Sequence, residues 1–505
     1  MKKLIFILLV FMYACEGLDV PDLNDPDKER VLSTPRDAQN LAQSAFLAYW
    51  QATHTQNLYA TSLVAADQFT SSWYNFAWGY VSNEPRTPWD NSVTFDDAYV
   101  TADFYYKMYG VLSNSVNPVL DLILNKNYQL GPNGVNNPSI LALCYFLQGT
   151  ILGDLGLCFD KAMIVKENTD LTNLKFSAYS DVIAAAIESL EKTDSICKTN
   201  TFQLNSSVVN GYLVDNTVLG KLANSYIARF MVLSSRTKRE NSYVDWNKVL
   251  EHAKKGITDD FYALGDATDL QGGRWFDDNF YFLTNPENST YAYAFVDCRL
   301  IHMLDPDYPA RYPADGKAPQ VHSDLRAGEA KSKDKRLATD FKYFSSNGFY
   351  ANRGYYHFSH YQYTRYPGIR TNGVALLYDF RKYENDLIMA EAYAMLNQSD
   401  NALEIINNSL NPRSDRGGLD PISSSAKQSQ ILDAIFYERE IELLAQGFMV
   451  GFCDMRRRDM LQYGTYLHYP IPGKELETLQ LPNYTFGGVG NADGVNTSNG
   501  GWFSK

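Results

Sequence analysis

Two kinds of residue in this sequence could act on a ligand: paired carboxylates and clustered aromatics. Asp96-Asp97 and Asp277-Asp278 are adjacent acids of the sort that could supply a glycosidase with its proton donor and its second carboxylate. In a chain with 58 acidic residues such pairs also arise by chance. No HExxH, GxSxG, GxGxxG or phosphate-cradling glycine loop accompanies them. His357 and His360, at i and i+3, have the spacing of two metal ligands but lack a third, and read as part of a tyrosine-rich surface loop. Asp305, Asp307 and Asp315 offer calcium-type oxygens at a spacing that fits no standard loop. The expectation is a chain that is not an enzyme and has no cofactor, with structural calcium the one ion left open.

The aromatics carry more information. Trp73, Tyr74, Phe76, Trp78, Tyr80 and Trp89 fall within seventeen residues, interleaved with Ser71, Ser72, Asn75, Asn83, Asp90 and Asn91. A sugar ring presents apolar C–H faces that stack on aromatic planes, and hydroxyls that need amide, carboxylate or guanidinium partners. A second cluster holds Trp275, Phe276, Tyr281, Phe282, Tyr291 and Tyr293. A third holds Tyr355, Tyr356, Tyr361, Tyr363 and Tyr366 with Arg353 and Arg365. All lie in loop-like sequence, with about half of them expected as buried supports. The candidate ligand-binding residues are Trp73, Tyr74, Trp78, Trp89, Asn91, Trp275, Tyr281, Tyr291, Arg353 and Tyr356.

Helices must position these loops. Ser33-Thr34-Pro35 supplies a cap and a first-turn proline, with Asp37 near the positive end of the dipole, for a helix running to about Ala52. Tyr179, Val182, Ile183, Ala186, Ile187 and Leu190 form one apolar stripe at helical spacing. Further helices are expected around 98–126, 137–152, 215–235, 245–256, 378–396, 400–409 and 426–446. The short link Asn397 to Asp400 makes its flanking helices antiparallel neighbours, and stacked pairs of this kind build a solenoid of tetratricopeptide type. Residues 260–375, rich in Gly, Pro, Asp, Asn and aromatics, break the pattern, as do residues 68–97.

The start of the chain reads as an export signal. Lys2 and Lys3 precede an apolar run from Leu4 to Ala14, shorter than the roughly 20 residues that span a bilayer. Cleavage after Ala14 would leave Cys15 at the N-terminus. Met12-Tyr13-Ala14-Cys15 resembles a bacterial lipobox, with Met12 where leucine is usual and a bulky Tyr13. Acyl chains there would contribute about 0.8 kcal/mol of membrane attachment per buried CH₂. Glu16, Asp19, Asp22, Asp25, Asp27 and Glu29, with Pro21 and Pro26, suit an extended tether. The net charge of −13 and pI near 5.1 argue against nucleic acid as a partner. Six cysteines without a CxxC pair signal neither a zinc nor a redox site, and Cys144, Cys158 and Cys453 read as small buried hydrophobes.

The C-terminal third resembles the SusD/RagB family of outer-membrane nutrient-uptake lipoproteins. Arg381 to Ala392 looks like that family's R-x-x-E-x-x-L-x-x-A-E-A helix, and Tyr437 to Leu443 like its E-R-x-x-E-L helix. Asn407 and Arg413 fall near its N-x-x-R region at a stretched spacing. Gly447, Asp454 and Arg456-Arg457 match the segment that follows, and Tyr469-Pro470-Ile471-Pro472 with Glu475 match its Y-P-I-P-x-x-E turn. Earlier in the chain, Gly153-Asp154-Leu155-Gly156-Leu157 resembles its G-D-V-P-L turn. Gln446 stands where the family has an acid, and the usual asparagine-glutamine-proline ending is missing. Glu384, Glu391, Glu438, Arg439, Glu442, Asp454 and Arg456 read as helix-locking ion pairs.

The resemblance implies a mostly α SusD-like fold with degenerate tetratricopeptide-type helix pairs and long irregular loops. The expected division is a signal peptide at 1–14, a lipidated acidic tether at 15–32 and a single domain at 33–505. Within that domain the helical scaffold covers about 33–260 and 375–475, and a loop-rich ligand-binding insertion covers about 260–375. It further implies a lipid-anchored protein exposed on the outer membrane, delivering oligosaccharides to a SusC-like TonB-dependent transporter. A peptide-binding member, a surface glycosidase and a purely structural transporter partner are the alternatives.

Overall fold

A computed structural model of the chain describes residues 32, 34–55, 57–267, 272–284, 293–313, 328–345, 349–490 and 501–504. Signal peptide, Cys15 and all but the last residue of the expected tether lie outside these, as do Tyr291 and Asp315.

The principal helices are α1 (Pro35–His54), α2 (Leu58–Ala65), α3 (Tyr99–Val111), α4 (Asn117–Leu124), α5 (Asn137–Cys158), α6 (Tyr179–Thr199) and α7 (Asn216–Leu233). They continue as α8 (Trp246–Lys254), α9 (Asp278–Thr284), α10 (Cys298–Leu304), α11 (Lys382–Met395), α12 (Ser399–Ile406), α13 (Gln428–Ile441) and α14 (Val450–Arg457). At the start of α1 the Thr34 hydroxyl accepts the Asp37 amide at 3.2 Å, as the sequence predicts. Helices α5, α6, α7, α8, α11, α12 and α13 pack each against the next. Strands are short and paired in twos: β1 (Phe69–Thr70) with β5 (Phe295–Val296), β2 (Lys161–Met163) with β3 (Phe176–Ala178), β4 (Phe261–Leu264) with β8 (Leu376–Phe380), and β6 (Phe341–Tyr343) with β7 (Tyr361–Tyr363), all antiparallel.

Helix α5 is apolar on every side and forms the core. It is long and apolar enough to cross a membrane by length and composition, yet 94% of its apolar window is buried inside the protein. The turn expected at Gly153 to Leu157 is instead the last part of this helix. Glycine and aspartate read locally as turn formers, but here they serve packing. A Cβ at Gly153 would come within 2.1 Å of the Phe230 ring, and one at Gly149 within 2.6 Å of Leu190 Cγ. Asp154 accepts the Tyr49 hydroxyl at 2.9 Å inside the core.

A second correction concerns the helix expected at 378–396. Residues Leu376–Phe380 pair with Phe261–Leu264 as β8, and α11 begins only at Lys382, whose amide donates to Asp260 Oδ1 at 2.7 Å. The cap comes from a distant segment, which local sequence cannot disclose.

Buried ion pairs lock α11, α13 and α14 together. Arg229 binds Glu384 at 2.6 Å, Arg336 binds Glu438 at 2.7 Å, and Arg299 binds Glu440 at 2.9 Å. Arg365 meets Glu442 at 2.7 Å. Arg457 grips Glu391 through two bonds of 2.5 and 2.7 Å and reaches Asp454 at 2.9 Å, where Arg439 also arrives at 2.6 Å. Arg456 departs from the expected ion pairing. Its guanidinium donates to the carbonyls of Leu157 and Leu233 at 2.9 Å each, satisfying the C-terminal ends of α5 and α7. Arg236 does the same for Gly156 and Phe159, at 2.6 and 3.1 Å. Burial, with Arg456 nearby, lowers its pKa to about 9. Cys144, Cys158, Cys197, Cys298 and Cys453 are all free and buried.

Candidate functional site

The pairing of β1 with β5 carries the chain after Thr70 alongside Tyr293. Ser71 Oγ donates to the Tyr293 carbonyl at 2.5 Å and accepts the Trp73 amide at 3.1 Å. From the other side comes the segment around the short 3₁₀ turn Ala351–Arg353. Ser72 Oγ accepts the Tyr350 amide at 2.9 Å, Arg353 Nη1 donates to the Ser72 carbonyl at 3.3 Å, and the Tyr74 hydroxyl donates to the Arg353 carbonyl at 3.0 Å. Three stretches far apart in sequence are thereby stitched into one surface.

On that surface Trp73 lies between Tyr293 and Tyr350, with ring centroids 5.4 and 5.8 Å away. The Arg353 guanidinium stands 4.4 Å over the Tyr350 ring and 5.7 Å from that of Trp73. Trp73 is half-buried, Arg353 is exposed, and Tyr74 and Tyr350 are 44% and 37% exposed. Apolar faces, phenolic hydroxyls and guanidinium donors thus occur together, which suits a ring with one apolar face and a hydroxylated edge.

The turn that follows Trp73 is strained. Phe76 and Ala77 both have φ of 62°, left-handed for residues with a Cβ, at a cost on the order of 1–3 kcal/mol each. Asp97 holds them there, its two carboxylate oxygens accepting the Phe76 and Ala77 amides at 3.0 and 2.8 Å. Burial raises the pKa of Asp97, and those amides oppose the rise. Asp97 is therefore committed to shaping the loop. In the second acid pair, Asp277 accepts the Phe280 amide at 2.8 Å at the start of α9, and burial pushes its carboxyl up.

Several candidate residues face inward. Trp78, Trp89, Trp275 and Tyr356 are 0%, 3%, 6% and 0% exposed. Trp89 packs edge-on against Tyr466 and Tyr469, whereas Trp275 stacks on Phe46 and lies tilted against Trp50. Tyr356 donates its hydroxyl to the Gly79 carbonyl at 3.3 Å. Asn91 is buried and fastens the C-terminal region, donating to the carbonyls of Ile471 and Tyr484 at 3.0 Å each. None of these five meets solvent enough to grip a surface ligand. Tyr281 is half-buried beside Phe282, which in turn touches Tyr293. Sequence reasoning missed Tyr350 altogether; its signal was an aromatic three residues before Arg353 in Ser-, Asn- and Gly-rich sequence.

The histidine pair belongs to the interior. His360 Nδ1 lies 2.8 Å from the Phe344 carbonyl, and His357 Nε2 lies 3.1 Å from Glu84. Asp305 accepts the amides of Asp307 and Lys331 at 3.1 and 2.6 Å. Glu84 itself also pairs with Arg311. Burial would raise its pKa, but the bond to His357 and the charges of His357, Arg86 and Arg311 bring it down to about 2. This cluster braces the segment that carries Tyr350 and Arg353. The Glu84 amide donates to the Tyr355 carbonyl at 3.0 Å, and Asn83 Oδ1 accepts the Tyr355 amide at 2.7 Å.

Comparison with known proteins agrees with this architecture. Residues 313–488 match the model of the SusD family. A SusD superfamily protein from Bacteroides vulgatus ATCC 8482 is similar in structure with a TM-score of 0.57 at 16% identity, over 88% of this chain and 97% of that one. A SusD homolog from Bacteroides uniformis ATCC 8492 gives 0.57 at 14% identity, over 93% and 99%. A SusD-like carbohydrate binding protein from Bacteroides vulgatus ATCC 8482 gives 0.53 at 17%, over 84% and 83%. At these identities the likeness speaks for the fold. No curated protein matches the chain.

Proposed function

Taking as premise that this chain is a SusD-like family protein, we propose that it is a cell-surface lipoprotein that captures glycans and hands them to a transporter without cleaving them. The observation that carries this reading is the convergence of Trp73, Tyr74, Tyr293, Tyr350 and Arg353 on one exposed surface. The solved relative described as carbohydrate binding supports the choice of ligand class. The engagement of Asp97 and Asp277 in backbone capping supports binding over hydrolysis.

Replacing Trp73 with alanine is expected to weaken glycan binding by about 2 kcal/mol, roughly thirty-fold, as for a stacking anchor at the centre of a contact. Isothermal titration against panels of neutral oligosaccharides and of peptides measures this. Tight binding of peptides with no glycan response would overturn the ligand class, and an unchanged affinity in the Trp73→Ala protein would overturn the surface.

Lipidation of Cys15 and a SusC-like TonB-dependent partner in the outer membrane complete the reading; the lipobox-like Met12-Tyr13-Ala14-Cys15 supports the first. Cys15→Ala is expected to move the protein from the membrane to the soluble fraction. Retention of the variant in washed membranes would sink the anchor.

A further inference from the structure

A cleft of about 570 Å³ opens at some remove in sequence from the aromatic surface, where α4, the turn preceding it and the segment after β2 meet. That size lies within the range of small-ligand sites. Its lining includes the apolar Leu122 and Val165 and the half-buried Tyr128, whose hydroxyl donates to the Leu32 carbonyl at 3.3 Å. Around the opening stand Asp121 paired with Lys126 at 3.1 Å, and Lys166 and Glu167.

The Glu167 carboxylate is fixed from inside. It accepts Gln148 Nε2 at 2.9 Å and the Tyr145 hydroxyl at 3.3 Å. Gln148, fully buried on the core helix α5, also donates to Asn117 Oδ1 at 2.8 Å and accepts the Ser189 hydroxyl at 2.7 Å. Asn117 in turn donates to the Val165 carbonyl at 3.0 Å. A buried polar chain spanning three helices therefore fixes one partly exposed carboxylate at the edge of a cleft, which is the arrangement of a preorganised site. The backbone adds a second sign: residues Leu112–Val116, leading into α4, form a π-helical turn, a form found frequently at functional sites.

We infer that this cleft is a second binding site, for a short neutral glycan segment. Lys166 is held by Glu188 at 2.8 Å, which also takes Lys192 at 3.0 Å, so the carboxylates of Asp121, Glu167 and Glu188 balance the ammonium groups of Lys126, Lys166 and Lys192 and a strongly anionic or cationic ligand has no net attraction. Each sugar hydroxyl both donates and accepts, which matches a rim that holds acceptors and donors together, and apolar and aromatic lining residues suit the ring face. Leu32 forms one edge. The ligand class rests on the glycan reading above, whereas the site rests on its own geometry.

Titration calorimetry with gluco-, manno-, galacto- and xylo-oligosaccharides tests it on four full-length proteins: wild type, Trp73→Ala, Glu167→Gln and Lys126→Ala. Glu167→Gln keeps the shape and an acceptor for Gln148, and Lys126 is mostly exposed, so both cleft variants should fold; thermal melts check that. Two binding events are expected in the wild type, one weakened at least ten-fold by Trp73→Ala and the other by either cleft variant. One event, abolished by Trp73→Ala and untouched by the cleft variants, overturns the cleft alone. One event lost only in the cleft variants upholds the cleft and overturns the aromatic surface. No glycan binding by any form overturns both.

Discussion

Asp454→Ala is expected to destabilise the fold by about 3–5 kcal/mol, the range for removing one partner from a buried ion pair. The size follows from what is left behind. Asp454 is buried and receives Arg439 at 2.6 Å and Arg457 at 2.9 Å. Burial alone would raise its pKa, yet the charges of Arg439, Arg457 and Arg458 hold it below the usual carboxylate value, so it stays ionised. Arg457 would retain Glu391, at 2.5 Å. Arg439 would lose the anion it points to while remaining 1% exposed. Urea unfolding at neutral pH measures the loss. Changing Asp454 to Leu and Arg439 to Met together should recover most of it, because an apolar pair of similar volume needs no counter-charge. A single-variant loss below about 1 kcal/mol, the range of surface pairs, would contradict the account.

The second large effect is a pH dependence. Glu84 has a pKa of about 2 against an ordinary value of 4.5, a difference worth on the order of 3 kcal/mol. Because the folded value is the lower one, the stabilisation is fully present above about pH 4.5 and is lost as pH falls toward 2. The groups facing Glu84 are His357, Arg311 and Arg86, the last itself paired with Asp67. Glu84→Gln should therefore be markedly less stable than wild type at pH 7, and the gap should narrow by roughly half on acidification to pH 3 and close only toward pH 2. Urea midpoints across that range test this, and a gap that stays constant would rule it out. Through the Tyr355 contacts the same acidification should loosen the segment that presents Tyr350 and Arg353.

Much of the helical frame could be read directly from the sequence. The cap at Thr34 and the stripe from Tyr179 to Leu190 depend on neighbours within a few residues, and α1 and α6 follow them closely. What escaped depends on partners far along the chain. Gly153 reads as a turn until Phe230 is brought against it, and Leu376–Phe380 reads as helix until Phe261–Leu264 offers an edge to pair with. The aromatic clusters show the same limit. Trp73 and Trp89 sit in similar mixtures of polar and aromatic residues, yet one lines the surface and the other is enclosed by Tyr466 and Tyr469. The motif charges Glu391, Arg439 and Asp454 were legible as ion pairs, whereas Arg456 was not, since its partners are carbonyls and carbonyls leave no mark in a sequence.

The stitching of Ser72 to Tyr350 joins residues 278 positions apart, and Ser71 to Tyr293 spans 222. A recognition surface built this way does not exist in any fragment or partly synthesised chain. On the function proposed above, its affinity for ligand is a gauge of finished folding, because a partly folded chain has nothing with which to hold a sugar. Once formed, an occupied surface acts as a clasp on the whole molecule: ligand that favours only the native state raises the cost of opening with the logarithm of its concentration over its dissociation constant. On that proposed function, ligand abundance would then be felt as resistance of the protein to proteolysis.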